Sequence, residues 1–112
     1  MENDKLYLQH IADAISAIEE YVKGLTREDF IKNRLVHDAV IRQFAIVGEA
    51  AKHLSPETRA KSSSVPWRSI AGMRDMIIHE YFGIDLNEVW RTVEKDIAPL
   101  KASVRELLSK YQ

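Results

Sequence analysis

The sequence predicts an all-α protein: an up-and-down bundle of four main helices with a Pro-kinked C-terminal helix, in a single domain spanning residues 1–112. Three observations carry that expectation. Apolar residues recur at steps of three to five along most of the chain, and no stretch alternates with the two-residue period of a strand. Glycine, proline and capping residues fall where the periodic runs stop and start. The 112 residues are 46% hydrophobic and 29% charged, a balance that suits a packed core and argues against a disordered chain.

In chain order, Leu6, Ile11, Ile15, Ile18, Val22 and Leu25 form the stripe of a first helix, and Gly24 marks its end. Thr26, with Asp29 three residues on, is a capping signal for a short second element. HDAVIRQFAIVGEAAKHL, closing at Leu54, reads as a long helix that Ser55-Pro56 stops, because proline disfavours helix at the residue before it. Residues 55–66, SPETRAKSSSVP, are polar and serine-rich and read as a long loop. Pro66 suits the first turn of a further helix with the stripe Trp67, Ile70, Met73 and Ile77, and Gly83 fits its end. Asp85 with Glu88 starts the last segment, where Leu86, Val89, Trp90, Val93, Ile97, Leu100, Val104, Leu107 and Tyr111 stay in phase. Pro99 lies inside that run and is expected to kink or break it.

Composition narrows the function classes. The apolar runs are too short to span a bilayer, and the acidic, polar start MENDKLYLQH lacks the pattern of a signal peptide. There is no cysteine, which excludes disulfide and thiolate chemistry and fits a reducing cytoplasm. A net charge of −1, with cations spread along the chain, opposes bulk electrostatic binding of nucleic acid, so phosphate recognition would have to be local. With no H-E-x-x-H, no D-x-D and no clustered histidines, neither a metal nor another cofactor is expected. His10, His37 and His53 read as surface residues rather than ligands.

RDMIIHEY, residues 74–81, concentrates the candidate chemistry. On an ideal helix Arg74 and Tyr81 fall at about 40° and 20° from Ile70, inside the apolar arc, whereas Asp75 and His79 fall at about 140° and 180°. Asp75 and His79 are also an i, i+4 pair, so the carboxylate could orient the imidazole. A purely structural reading remains open: a snorkelling arginine, a satisfied surface His–Asp pair and a core tyrosine. The arginine resists it, because a permanently charged guanidinium on an apolar arc needs a carboxylate, a phosphate or solvent. Glu49 in the preceding long helix is a candidate partner, and Arg42, seven residues before it, shares nearly the same face. Charges that look buried on two neighbouring helices suggest a polar network in a groove.

PWRSIAGMRDMIIHEYFGID, residues 66–85, resembles the HepT-like toxins of the HEPN superfamily, whose Arg-x4-His-x-Tyr signature falls on Arg74, His79 and Tyr81. The preceding HDAVIRQFAIVGEAAKHL is similar to the family's other marked stretch, with Arg42, Gly48 and Glu49 in matching places, and Leu86 and Trp90 also fit. The resemblance covers nearly the whole chain. It implies a HEPN-like bundle and a cytoplasmic, metal-independent endoribonuclease acting as a homodimer on RNA, with Arg74 and His79 catalytic. Asp75, Glu49 and Arg42 would then support the groove. It further implies a minimal nucleotidyltransferase antitoxin as partner, which would silence the enzyme by AMPylation of Tyr81. A rival reading is a non-catalytic helical module that binds the nucleotidyltransferase and helps it act on another substrate. A third is a dimeric structural bundle.

Overall fold

A computed structural model describes residues 3–72 and 83–111 and is helical almost throughout, with no strand among the described residues. Its longest elements are α1 (Asp4–Val22) and α3 (Arg34–His53). They run antiparallel: Asp4 and Tyr7 near the start of α1 meet Ser55 and His53 near the end of α3. This is the most extensive helix pairing among the described residues, and α7 (Ile97–Leu108) also packs on α1.

The first helix buries Leu8, Ile11, Ala14, Ile15 and Ile18. Leu6, expected in that stripe, is 52% exposed. It lies five residues before Ile11, about 140° round the helix, while Leu8 lies three before and only about 60° away. Phase overrides side-chain identity. After the C-cap Lys23, Gly24 takes φ +78, a left-handed turn that a side chain would strain, and the Leu25 N–H donates to the Val22 carbonyl at 2.9 Å.

The Thr26 signal is a complete capping box. Thr26 Oγ1 accepts from the Asp29 N–H, and the Asp29 carboxylate accepts from the Thr26 N–H, both at 3.1 Å. It opens α2 (Arg27–Lys32), which buries Phe30 against Trp90 with ring centroids 5.1 Å apart. Asn33 then closes α2 and caps α3, its side chain accepting from the Val36 N–H.

Residues 55–66 depart from the expected loop by containing a short helix, α4 (Pro56–Ala60). Ser55 caps it and proline occupies its first turn, where a missing N–H costs nothing. Five residues are too few for hydrophobic periodicity to reveal. The junction is held by Asp4, which is 2% exposed and accepts hydrogen bonds from the Ser55 N–H (3.0 Å), the Ser55 hydroxyl (2.6 Å) and the Thr58 hydroxyl. Tyr111 Oη lies 3.1 Å from Thr58 Oγ1, so both ends of the described chain meet here. Burial alone would raise the Asp4 carboxyl, but the Ser55 and Thr58 hydrogen bonds outweigh it and hold the group below the ordinary carboxylate value.

The next helical stretch, residues 67–72, is labelled α5. Pro66 precedes it as the cap rather than lying in its first turn: its carbonyl accepts from the Ile70 N–H at 3.0 Å. Buried Trp67 donates its Nε1–H to the carbonyls of Arg59 and Ser62, fastening the serine-rich stretch to the bundle. Met73 and Ile77 of the expected stripe lie outside the described residues.

The C-terminal run is broken rather than gently kinked. Helix α6 (Leu86–Lys95), capped by Asp85, stops at Asp96, and α7 restarts at Ile97. Pro99 explains the position: its ring would clash with the carbonyl four residues back, that of Lys95, the last residue of α6. Near the start of α7 its missing N–H has no helical partner to lose.

Candidate active site

Arg74, Asp75, His79 and Tyr81 lie outside the described residues. What is described is the frame around them in the chain, together with Arg42 and Glu49. At the last described residues of α5, Ile70 and Gly72 line a cleft of about 510 Å³. Phe44 and Val47 of α3 and Ile97 and Leu100 of α7 form its apolar wall. Its rim is polar. Glu88 there holds Arg91 by two hydrogen bonds from Nε, at 2.9 and 3.0 Å, an exposed pair one helical turn apart on α6.

Arg42 and Glu49 lie on the opposite face of α3, and of the two only Glu49 has a buried polar atom, its Oε1. Arg42 is exposed, and the Glu49 side chain is 46% exposed. The expected pair of interior charges is therefore corrected. Both fall on the arc of α3 turned away from the core made by Val40, Phe44, Val47 and Ala51. They do line a groove, of about 300 Å³, between α1 and α3, with Tyr7, His10, Ala45, Ile46 and Ala50.

That groove gathers residues that sequence reasoning left scattered. The Glu49 carboxylate lies 3.0 Å from His53 Nε2. The His53 ring stacks on Tyr7 with centroids 4.9 Å apart and planes at 16°, and His10 meets the edge of Tyr7 at 6.1 Å. Glu49 and His53 are four residues apart on one helix, so their pairing was available from spacing; Tyr7 joins them only through the α1–α3 register. His10 and His53 are exposed, as expected, but His37 is not: its side chain is 14% exposed, packed by the Phe30 ring and 3.4 Å from Asp38. The reason is position, since His37 sits where α2 folds back onto α3.

Among the described residues no three His, Asp or Glu side chains cluster closely enough to hold a metal ion. No described helix is long and apolar enough to cross a membrane.

Comparison with known proteins bears on the whole chain. Residues 11–107 match the family model described as "Ribonuclease HepT-like". The chain is 44% identical over 110 residues to "Putative RNase TTE0752" of Caldanaerobacter subterraneus subsp. tengcongensis, covering 98% of each protein. It is 42% identical over 103 residues to "Probable ribonuclease HepT" of Thermococcus cleftensis, covering 92% of this chain and 94% of that protein. It is also 45% identical over 104 residues to "Gamma-glutamylcyclotransferase and putative RNase MJ0434" of Methanocaldococcus jannaschii, there spanning 93% of this chain but only 47% of the relative. No solved structure matches the chain.

Proposed function

The chain belongs to the HepT-like ribonuclease family, and from that premise we propose that it is a metal-independent endoribonuclease toxin, active as a homodimer in the cytoplasm. The observation that carries the reading is that the family match runs unbroken through residues 11–107, which include RDMIIHEY.

The chemistry assigned to the motif follows from what RNA cleavage needs. A base takes the proton of a 2′-hydroxyl, whose oxygen attacks the adjacent phosphorus. An acid gives a proton to the departing 5′ oxygen, leaving a 2′,3′-cyclic phosphate and a 5′-hydroxyl end. Histidine can serve either role near neutral pH, and His79 is given it. Arg74 supplies a permanent, forked cation for the charge of the crowded phosphorane. Asp75, one turn before His79, orients its ring. On an ideal helix Arg74 and His79 diverge by about 140°, which one copy cannot easily reconcile. A two-fold dimer lets the histidine of one copy work with the arginine of the other. Arg42 and Glu49 take a supporting role at the edge of the groove.

Tyr81 is the proposed switch. Its hydroxyl attacks the α-phosphate of ATP on a partner nucleotidyltransferase, releasing pyrophosphate and leaving AMP on the tyrosine. The added phosphate repels an RNA backbone and competes for Arg74.

Two experiments test these assignments. Purified wild type is expected to cut RNA, and His79→Ala to lose that activity at least about a hundredfold, the scale of a lost general acid or base. Equal inactivity of the two proteins would remove the ribonuclease assignment. Incubation with the partner and ATP is expected to add AMP mass to wild type and not to Tyr81→Phe; an adduct on the variant would place the acceptor elsewhere.

A further inference from the structure

The outer face of α3 carries a charge pattern with a specific consequence. Taking 100° per residue, its exposed and half-exposed residues other than Val36, His37 and Gln43 fall in an arc of about 140°, with Ala45 and Ile46 midway along the helix and Arg42 and Glu49 one turn to either side. Leu35, 82% exposed, lies seven residues before Arg42 on the same arc. Among the described residues α1 borders this face, where Tyr7 stacks on His53 and, with His10, lines a groove with Ala45 and Ile46.

Any regular helical stripe maps onto itself when paired antiparallel with a copy, so position alone says nothing. The charges do. With the two-fold axis between Ala45 and Ile46, Arg42 of each copy falls opposite Glu49 of the other, and Asp38 falls opposite His53. Small Ala45 and Ala39 give the backbones room to approach, and Ala39 meets the aliphatic stem of Lys52. A parallel pairing would set Arg42 on Arg42 and Glu49 on Glu49. The pattern is thus attractive in one orientation and repulsive in the other, which is how charges specify a partner.

We propose that the exposed arc of α3 is the two-fold interface of the homodimer, with antiparallel α3 helices crossing at Ala45 and Ile46 and reciprocal Arg42–Glu49 pairs on either side of the axis. The occupant is a second copy of this chain, because the complementarity is to the helix's own sequence. His53 holds the Glu49 carboxylate at 3.0 Å and stacks on Tyr7, so the acidic half of each pair sits in a fixed place before the copies meet. The groove beside Ala45 and Ile46, walled by Tyr7 and His10, leaves room for Ile46 of the second copy. This interface rests on the dimer reading above and gives it a location.

A charge swap tests it by mass rather than by activity. Arg42→Glu alone sets two carboxylates face to face at both ends of the contact, and Glu49→Arg does the same with two guanidinium groups. Each is expected to raise the dimer dissociation constant about tenfold or more in sedimentation equilibrium at low salt. The double variant Arg42→Glu with Glu49→Arg restores opposite charges and is expected to recover the dimer. On one helix the two residues are about 10 Å apart, so recovery cannot come from a pair within one chain. Far-UV circular dichroism checks that each variant is folded. Single variants as dimeric as wild type, a double variant no better than the singles, or a wild type monomeric at all concentrations would each overturn the interface. A dimer that cuts RNA yet ignores the swap would leave the ribonuclease reading standing. A dimer that obeys the swap but leaves RNA intact would do the reverse.

Discussion

Two polar clusters sit within one helical turn of each other at the same end of the α1–α3 pair. One is the junction where Asp4 receives Ser55 and Thr58; the other is the groove where Tyr7, His53, Glu49 and Arg42 meet. Asp4 is 2% exposed and accepts hydrogen bonds from three groups across more than fifty residues of chain. Glu49 and His53 are each about half exposed and four residues apart. Burial turns polarity into an obligation: a carboxylate out of water must be satisfied internally, so its partners become part of the fold. A half-exposed pair is screened by water, so the Glu49–His53 contact contributes little to stability.

Removing each cluster should separate these roles. Asp4→Ala leaves the Ser55 N–H and two hydroxyls without their acceptor, and is expected to cost about 2–3 kcal/mol, lowering the melting temperature by about 10 °C. His53→Ala, in the exposed groove, should change stability by about 0.5 kcal/mol or less while loosening Glu49. Calorimetry of both variants below the dimerisation range decides: equal losses would erase the distinction between the two clusters.

The acid limb sharpens the contrast further. Asp4 is held below its unfolded value, so its contribution is complete above the ordinary carboxylate range and is lost as pH falls through that range and on below the folded value. Wild type should therefore lose stability between about pH 5 and pH 3 more steeply than Asp4→Asn. Parallel pH curves for the two proteins would mean that the Asp4 network does not discriminate between the ionised and neutral carboxyl.

Much of the fold was legible because its signals are local. Thr26 and Asp29 gave a capping signal, Gly24 a helix end and Pro99 a kink or break, and each acts through residues no more than four away. Helix phase was legible as well, though Leu6 shows how an apolar residue off the period misleads. The short helix after Ser55 escaped because five residues carry no periodicity; its only mark was a serine before a proline. The Asp4 junction escaped for a different reason. Its bonds join residues 51 and 54 apart in sequence, and no spacing rule reaches that far. At the groove, Glu49 and His53 were within reach of the four-residue rule, while Tyr7 depended on how two helices slide past each other. The motif residues Arg74, Asp75, His79 and Tyr81 rest on the sequence pattern and the family match alone.

The ends of the cleaved RNA report the chemistry of that motif most directly. In excess chelator the purified protein is expected to keep its full rate and to leave 2′,3′-cyclic phosphate and 5′-hydroxyl ends, the signature of internal attack helped by His79 and Arg74. Cleavage that stops in chelator and otherwise leaves 5′-phosphate ends would contradict it, because a metal-bound water would then be the nucleophile.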